Sequence, residues 1–277
     1  MIIDTHVHFW KLSRGDYGWL QPGNTVLYND YLPPQLHPQM LLKGVTAAIA
    51  VQAAGTIEET EYLLELSATY SWIAGVVGWL DVTSDIFGKQ YERLRQNPLL
   101  LGIRIGGSTF QEAQGAQRIH LNENLRLMAD DGFPIDLLAR PNEMPAIVTQ
   151  LSEVPHLKVV INHLGIPAAQ SQEGDPWDRL IGELAEFDNV FCKLSGMITQ
   201  SLGTNIHLWQ PYVKQLLKTF GPQRLLFGSD WPVCLQSGTY SDVLQLFHGV
   251  LSGHVSETDL ADIAGNNAIS VYQIKLR

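Results

Sequence analysis

The amino-acid sequence predicts an α/β protein built as a single closed (β/α)8 TIM-like barrel. Eight short, nearly continuous apolar runs occur along the 277 residues, and such runs are typical of parallel strands covered on both faces. Stretches with helical spacing of apolar residues separate the runs. Eight such alternations favour a closed barrel over an open doubly wound sheet. No linker or composition shift divides the chain, so we expect one domain over residues 1–277.

The predicted strands are Ile2–His8, Thr46–Ala53, Ile73–Asp81, Leu100–Gly106, Pro134–Arg140, Lys158–Gly165, Val190–Gly196 and Arg224–Trp231. Helical periodicity predicts helices over Glu58–Ser71, Asn122–Asp131, Met144–Ser152, Trp177–Phe187 and Tyr212–Phe220. Each helix follows a strand, as the crossovers of a barrel require.

Two segments lie outside this repeat. Phe9–Gln39 is rich in aromatic residues and follows the first strand, at the end of a barrel where active sites lie. It either covers a bound ligand or packs as a surface loop. Ser256–Arg277 is predicted to begin as a capped helix and to close the bottom of the barrel.

Composition narrows the class of protein. The net charge is -10 and no basic run is present, which disfavours nucleic-acid binding. No apolar stretch approaches the roughly 20 residues that cross a bilayer, and no signal peptide is visible. Two cysteines are too few for a disulfide framework. We therefore expect a cytoplasmic enzyme with a small-molecule substrate and no membrane partner, with a homo-oligomer left open.

The first strand carries a potential metal-binding pair. Successive side chains of a strand point to opposite faces, so Asp4, His6 and His8 share one face. Two imidazoles on one face can reach the same ion, and zinc sites use such histidines. A His-x-His pair also arises by chance, so whether it forms a metal site depends on the residues at the other strand ends.

Polar residues recur where the other predicted strands end. They are Gln52, Arg104, Arg140, His163, Lys193 and Asp230. In a barrel these ends converge on one face, where His6, His8, His163 and Asp230 can surround one ion. Taken singly, His163 also fits a structural role and Asp230 a cap of the turn before Pro232.

Three stretches resemble the amidohydrolase superfamily: MIIDTHVHFW at the start, INHLG in the sixth strand and LLFGSDWPV in the eighth. The closest similarity is to the branch that hydrolyses sugar lactones, which includes L-fuconolactonase-like and L-rhamnonolactonase-like enzymes. The resemblance implies a barrel of the metal-dependent hydrolase type, hydrolysis at a carbonyl and a role in carbohydrate catabolism. Members of this branch vary in their use of metal.

The fourth and fifth strands depart from dinuclear members of the superfamily, which have a bridging lysine or acid and a further histidine there. This chain offers Arg104 and Arg140, which have no acceptor for a metal. We therefore expect at most one divalent ion, with zinc favoured and a metal-free site as the alternative. Many lactonase relatives also place a histidine after the arginine, where this chain has Ile105, Gly106 and Gly107.

Each candidate has a predicted role. Asp230 takes a proton from the attacking water and returns it to the ring oxygen. Arg104, Lys193 and His163 are the other catalytic candidates, and the cations would stabilise oxyanion charge. The substrate-binding candidates are Trp10, Trp19, Gln52, Arg140 and Trp231. Internal ion pairing of the cations with Asp4, Asp136 or Asp81, and core packing of the tryptophans, are equally compatible with the sequence.

Three functions compete. The first is hydrolysis of a sugar-acid lactone, and the small number of cations favours a neutral polyhydroxy lactone over a dicarboxylate. The second is metal-dependent, non-oxidative decarboxylation of an aromatic or unsaturated acid on the same scaffold. The third is a non-catalytic binding barrel, which the set of His6, His8, His163 and Asp230 disfavours.

Overall fold

The structure, a computed structural model, describes residues 1–167, 176–200 and 202–276, and its one sheet confirms the predicted barrel. Its strands are β1 Ile2–Val7, β2 Val45–Val51, β3 Ile73–Gly78, β4 Leu100–Gly106, β5 Ile135–Leu138, β6 Val159–Ile161, β7 Val190–Leu194 and β8 Leu225–Phe227. Each strand pairs in parallel with the next along the chain. A parallel bridge between Val7 and Trp231 joins the last strand to the first. The single-domain boundary of 1–277 stays a prediction.

Several strands end earlier than the sequence predicted. β8 stops at Phe227 rather than Trp231, and β6 stops at Ile161 rather than Gly165. The backbone explains both, because Asp230 has φ 61° and His163 has φ 55°. Left-handed residues cannot continue a strand ladder. The candidate site residues therefore stand on turns just beyond the strands.

The helices in the described residues are α1 Pro33–Leu42, α2 Ile57–Thr69, α3 Phe87–Arg95, α4 Thr109–Glu112, α5 Ala116–Asp130, α6 Met144–Glu153, α7 Trp177–Ala185, α8 Ile206–Phe220, α9 Tyr240–Leu251, α10 Glu257–Ala261 and α11 Asn267–Tyr272. The prediction began α8 too late, after Pro211. Asn205 starts this helix upstream by accepting a hydrogen bond from the amide of Leu208. In the described part of the chain, no helix has the length and hydropathy needed to cross a bilayer.

The C-terminal helices close the bottom of the barrel, as predicted. The Ser256 hydroxyl accepts a hydrogen bond from the Asp259 amide and caps α10. Val271 and Tyr272 of α11 pack in a buried cluster with Ile3 of β1 and Leu226 of β8. The predicted segment's last residue, Arg277, lies outside the described residues. The apolar face of α11 thus covers the barrel end opposite the candidate site.

Candidate active site

A cavity of about 470 Å³ opens at the C-terminal ends of the strands. Its size is typical of small-molecule sites. The described residues that line it are His8, Trp19, Gln52, Ala53, Gly55, Arg104, Gly106, Leu138, His163, Asp230 and Val233. Five predicted catalytic or substrate-binding residues are therefore at one place: Trp19, Gln52, Arg104, His163 and Asp230.

Three predicted metal ligands form a compact cluster at this cavity. Ligand atoms of His6, His8 and Asp230 all lie within 4.8 Å of one another. Oδ1 of Asp230 is 3.4 Å from Nε2 of His8 and 3.8 Å from Nε2 of His6. The fourth predicted ligand, His163, is not in this group, although its ring centroid is 4.5 Å from that of His6.

The hydrogen bonding of the cluster fits a bound cation. His6 is fully buried, and neither of its ring nitrogens has a hydrogen-bond partner among the described residues. Nδ1 of His8 lies 2.8 Å from the Val51 carbonyl, to which it must donate. In the tautomer with its proton on Nδ1, His8 presents Nε2 to the Asp230 carboxylate as a second acceptor. A cation coordinated by the two imidazoles and the carboxylate would satisfy these unpaired acceptors. That donor set suits zinc.

Local backbone structure holds Asp230 against the histidines. Its amide donates to the carbonyl of His6, and the amide of Ser229 donates to the carboxylate of Asp4. Gly228 lacks a side chain because an added Cβ would lie 2.8 Å from Cβ of His6. The left-handed backbone of Asp230 is the kind of strain that proteins retain at functional sites.

Asp4 is a supporting residue that the sequence reading did not assign. Besides Ser229, its carboxylate accepts hydrogen bonds from the His6 amide and the Tyr240 hydroxyl. Burial raises its pKa to about 6, although these hydrogen bonds oppose the shift. The alternation of β1 did place Asp4 on the face of His6. Only the fold brings Ser229 and Tyr240 to it.

His163 is oriented by a second unassigned residue. Its Nδ1 lies 2.9 Å from the hydroxyl of Ser195, which follows β7. Gly196 leaves room for the ring, since a Cβ there would lie 2.6 Å from Nδ1. Burial lowers the pKa of His163 to about 4, and the nearby Asp230 only partly opposes this. The ring is therefore neutral near pH 7.

Charge in the cavity is divided between Asp230 and Arg104. Burial alone raises the pKa of the Asp230 carboxyl, but His163, His8 and Arg104 outweigh it and bring the pKa below its ordinary value. Burial also lowers the pKa of Arg104, a shift that Asp230 opposes. One guanidinium nitrogen of Arg104 donates to the Gln52 carbonyl at 3.3 Å. Its buried Nε has no partner among the described residues.

Two predicted cations do not reach the cavity. Lys193 is fully buried and pairs with Asp136 at 2.5 Å, while also donating to the Thr5 carbonyl. Arg140 is largely exposed, and its guanidinium lies 3.8 Å from Glu143. The alternative of internal ion pairing therefore describes Lys193, because a fully buried ammonium requires a counter-charge.

Two predicted substrate-binding tryptophans also lie outside the cavity wall. Trp10 is fully buried, and its indole donates to the Asn29 carbonyl. Trp231 is buried between Phe9 and Tyr31. Trp19 differs, since it lines the cavity, is 46% exposed and donates to the Ala53 carbonyl. Trp10 packs edge-on against Trp19 and so supports the wall from behind.

Comparison with known proteins shows which protein family the chain belongs to. A model of the amidohydrolase family matches residues 3–274. The chain belongs to the amidohydrolase family. An L-fucono-1,5-lactonase from Burkholderia multivorans is 32% identical over 98% of this chain and 96% of its own length. These findings confirm the family resemblance read from the sequence.

The solved structures with this fold include one similar in sequence and one that is distant in sequence. The crystal structure of an amidohydrolase from Burkholderia multivorans with bound zinc covers 99% of this chain and 100% of its own, at 30% identity and a TM-score of 0.88. A dihydroxybenzoic acid decarboxylase from Polaromonas with bound manganese is 15% identical with a TM-score of 0.70. The second likeness is one of fold alone.

Proposed function

We propose that this amidohydrolase is a lactonase that opens a sugar-acid lactone by hydrolysis of its ester bond. The observation that carries the proposal is the cluster of His6, His8 and Asp230 at a cavity that also exposes Arg104. The similarity to an L-fucono-1,5-lactonase over nearly the whole chain supports the same reaction class. The decarboxylase alternative is represented by a protein that is 15% identical and shares the fold alone.

His6, His8 and Asp230 would hold a single divalent ion. Zinc is the metal we propose, because two imidazoles and a carboxylate suit it and a similar amidohydrolase binds it. When bound, such an ion polarises a carbonyl and makes water more acidic. Arg104 and Arg140 contribute no ligand, so a second ion has no donors at the positions that dinuclear relatives use.

The chain's own groups account for the proton transfers. The lowered pKa keeps Asp230 ionised near neutral pH, so it can accept the proton of the attacking water. The water oxygen bonds to the lactone carbonyl carbon, and the bond from that carbon to the ring oxygen breaks. Asp230 returns the proton to the departing ring oxygen, which leaves a hydroxy acid. No redox partner is required.

Arg104, His163 and Trp19 bind and orient the substrate. Arg104 lines the cavity, and its guanidinium can donate to an oxygen on which negative charge develops. His163 presents a neutral ring whose Nδ1 is held by Ser195, and it can exchange a hydrogen bond with a substrate hydroxyl. Trp19 offers an apolar face to one side of a sugar ring.

The substrate we propose is a neutral polyhydroxy lactone, of the L-fucono- or L-rhamnonolactone kind. Arg104 is the one cationic side chain among the described residues that line the cavity. A dicarboxylate is normally held by several arginine forks. We also propose a cytoplasmic role in carbohydrate catabolism, and the two buried free cysteines suit a reducing compartment.

Acid release from a panel of lactones tests the function directly. We expect hydrolysis of neutral hexonolactones with a higher kcat/KM than any dicarboxylic lactone. The reverse order would overturn the assignment of substrate charge. Carbon dioxide release from aromatic acids, without lactone hydrolysis, would instead identify a decarboxylase. A protein that turns over neither class would fit the non-catalytic barrel.

A further inference from the structure

A second cavity adjoins the first at the ends of β3 and β4. It measures about 200 Å³, and both Arg104 and Gly106 line it as well as the larger cavity. The indole of Trp79 lines the smaller cavity and lies against Gly55, which lines the larger one. Arg104 and Gly106 form part of the wall of both spaces, so the two cavities are neighbours.

The smaller cavity has the size of an extension rather than of an independent site. Small-molecule pockets typically occupy about 300–1,000 Å³, a range that the larger cavity reaches alone. Besides Arg104, the polar residues that line the smaller cavity are Asp81, Thr83, Thr109, Glu112 and Gln117. Carboxylate, amide and hydroxyl groups of this kind bind neutral hydroxyl groups well, and two carboxylates disfavour an anion.

The last residue of β4, Gly106, lines both cavities and leaves open space there. A Cβ added at Gly106 would meet nothing within 4 Å, so the missing side chain leaves open space. At Gly107 a Cβ would lie 2.5 Å from the Glu143 carboxylate, so that glycine is required by packing. The absence of a side chain at Gly106 therefore leaves space between the cavities, whereas the backbone conformation there does not require glycine.

We propose that the smaller cavity is a subsite for a hydroxyl-bearing substituent on the lactone ring, and that Gly106 is the specificity-determining residue that keeps the passage to it open. This inference rests on the proposed lactonase function. The ring occupies the larger cavity beside Asp230, and its substituent extends past Arg104 towards Asp81 and Glu112.

Substitution of Gly106→Leu in the metal-loaded enzyme closes the passage. The test substrates are a pentono-1,5-lactone, which has no exocyclic carbon, and a heptono-1,5-lactone with the same ring and a dihydroxyethyl group. We expect Gly106→Leu to lower the ratio of kcat/KM for the heptono over the pentono lactone by about tenfold or more. Gly182→Leu is the control, since its Cβ on α7 also meets open space.

Binding of the matching lactams, measured by calorimetry, gives a readout that does not depend on hydrolysis. The wild type should bind the heptono lactam more tightly than the pentono lactam, and Gly106→Leu should remove that difference. Equal binding by the wild type, or a difference that survives Gly106→Leu, would overturn the subsite. If no lactone is hydrolysed but the lactams behave as expected, the proposed reaction fails and the subsite stands.

Discussion

Lys193 and Asp136 form an ion pair in the barrel interior, with Nζ 2.5 Å from Oδ2 and neither side chain exposed. Asn162 and Tyr272 also donate to this carboxylate. A buried charge that loses its partner typically costs about 3–5 kcal/mol. The pair therefore makes the interior sensitive to removal of one charge.

The substitution Lys193→Met should lower the free energy of unfolding by about 3–5 kcal/mol, because Asp136 is left charged and buried. Urea denaturation measures it, with the exposed Lys214→Met as the control. Removing both charges, as Lys193→Met with Asp136→Leu, should restore much of the loss. A single variant as stable as the control would show that the pair is not needed.

The metal prediction concerns stoichiometry. Protein purified without chelator should contain at most one divalent ion per chain, measured by elemental analysis. His8→Ala should lose that ion and the rise in Tm that added zinc produces, whereas the exposed His254→Ala should keep both. Two equivalents per chain would contradict a mononuclear site. Full activity in chelator would make the cluster a metal-free proton-transfer site.

Asp230→Asn removes the proposed base but keeps the side-chain size. Because general acid–base catalysis contributes about 10²–10⁴ in rate, kcat should fall by that order while KM changes less. Metal content is measured in parallel, so that lost metal and lost base are distinguished. The exposed Asp85→Asn is the control. Near-full kcat in Asp230→Asn would move the proton transfer to His163.

Trp19 and Trp10 should respond differently to substitution. Trp19→Ala removes part of the cavity wall from a half-exposed position, so KM should rise while Tm changes little. Trp10→Ala empties a buried position and should cost about 3–5 kcal/mol of stability. Steady-state kinetics and thermal unfolding separate the two. An unchanged KM for Trp19→Ala would exclude its contact with substrate.

Glu59 predicts a pH dependence of stability. Its buried carboxylate accepts from the amides of Ala53 and Ala54, and burial raises its pKa from 4.5 to about 7. The folded state thus holds a proton that the unfolded state releases, so this contribution is fully present below pH 4.5. It is lost as pH rises towards 7, by about 3 kcal/mol.

Glu59→Gln tests this because an amide does not titrate. The Tm of the wild type minus that of Glu59→Gln should fall as pH rises from 4.5 to 7. The exposed Glu58→Gln should show no such trend. A difference that is flat with pH would mean that Glu59 is ionised throughout.

The same local strand pattern predicted both the fold and the positions of several candidate site residues. Strand periodicity is local, so the alternation in β1 already places His6 and His8 on one face. The polar residues at the other strand ends converge once a barrel is assumed. His163 and Asp230 lie at the cavity even though they stand on turns rather than on the predicted strands.

The side chains whose roles the sequence left open depend on neighbours distant in the chain. Nothing near Lys193 in the sequence shows that Asp136 points at it from another strand, and nothing near Trp231 shows that Phe9 and Tyr31 enclose it. Likewise, Asp4 gained its supporting role through Tyr240 and Ser229. Depth in the barrel is a tertiary property, which periodicity does not encode.

Tyr272 links the interior ion pair to the order in which the chain is made. Its hydroxyl donates to Oδ1 of Asp136 at 2.5 Å, across 136 positions of sequence. Synthesis proceeds from the N-terminus, so Lys193 and Asp136 are available to each other while this donor does not yet exist. A chain that ends after β8 lacks both this hydrogen-bond donor and the apolar face of α11 that covers the barrel base. The last helix of the chain thus supplies both the cover of the barrel base and one hydrogen bond to the interior carboxylate.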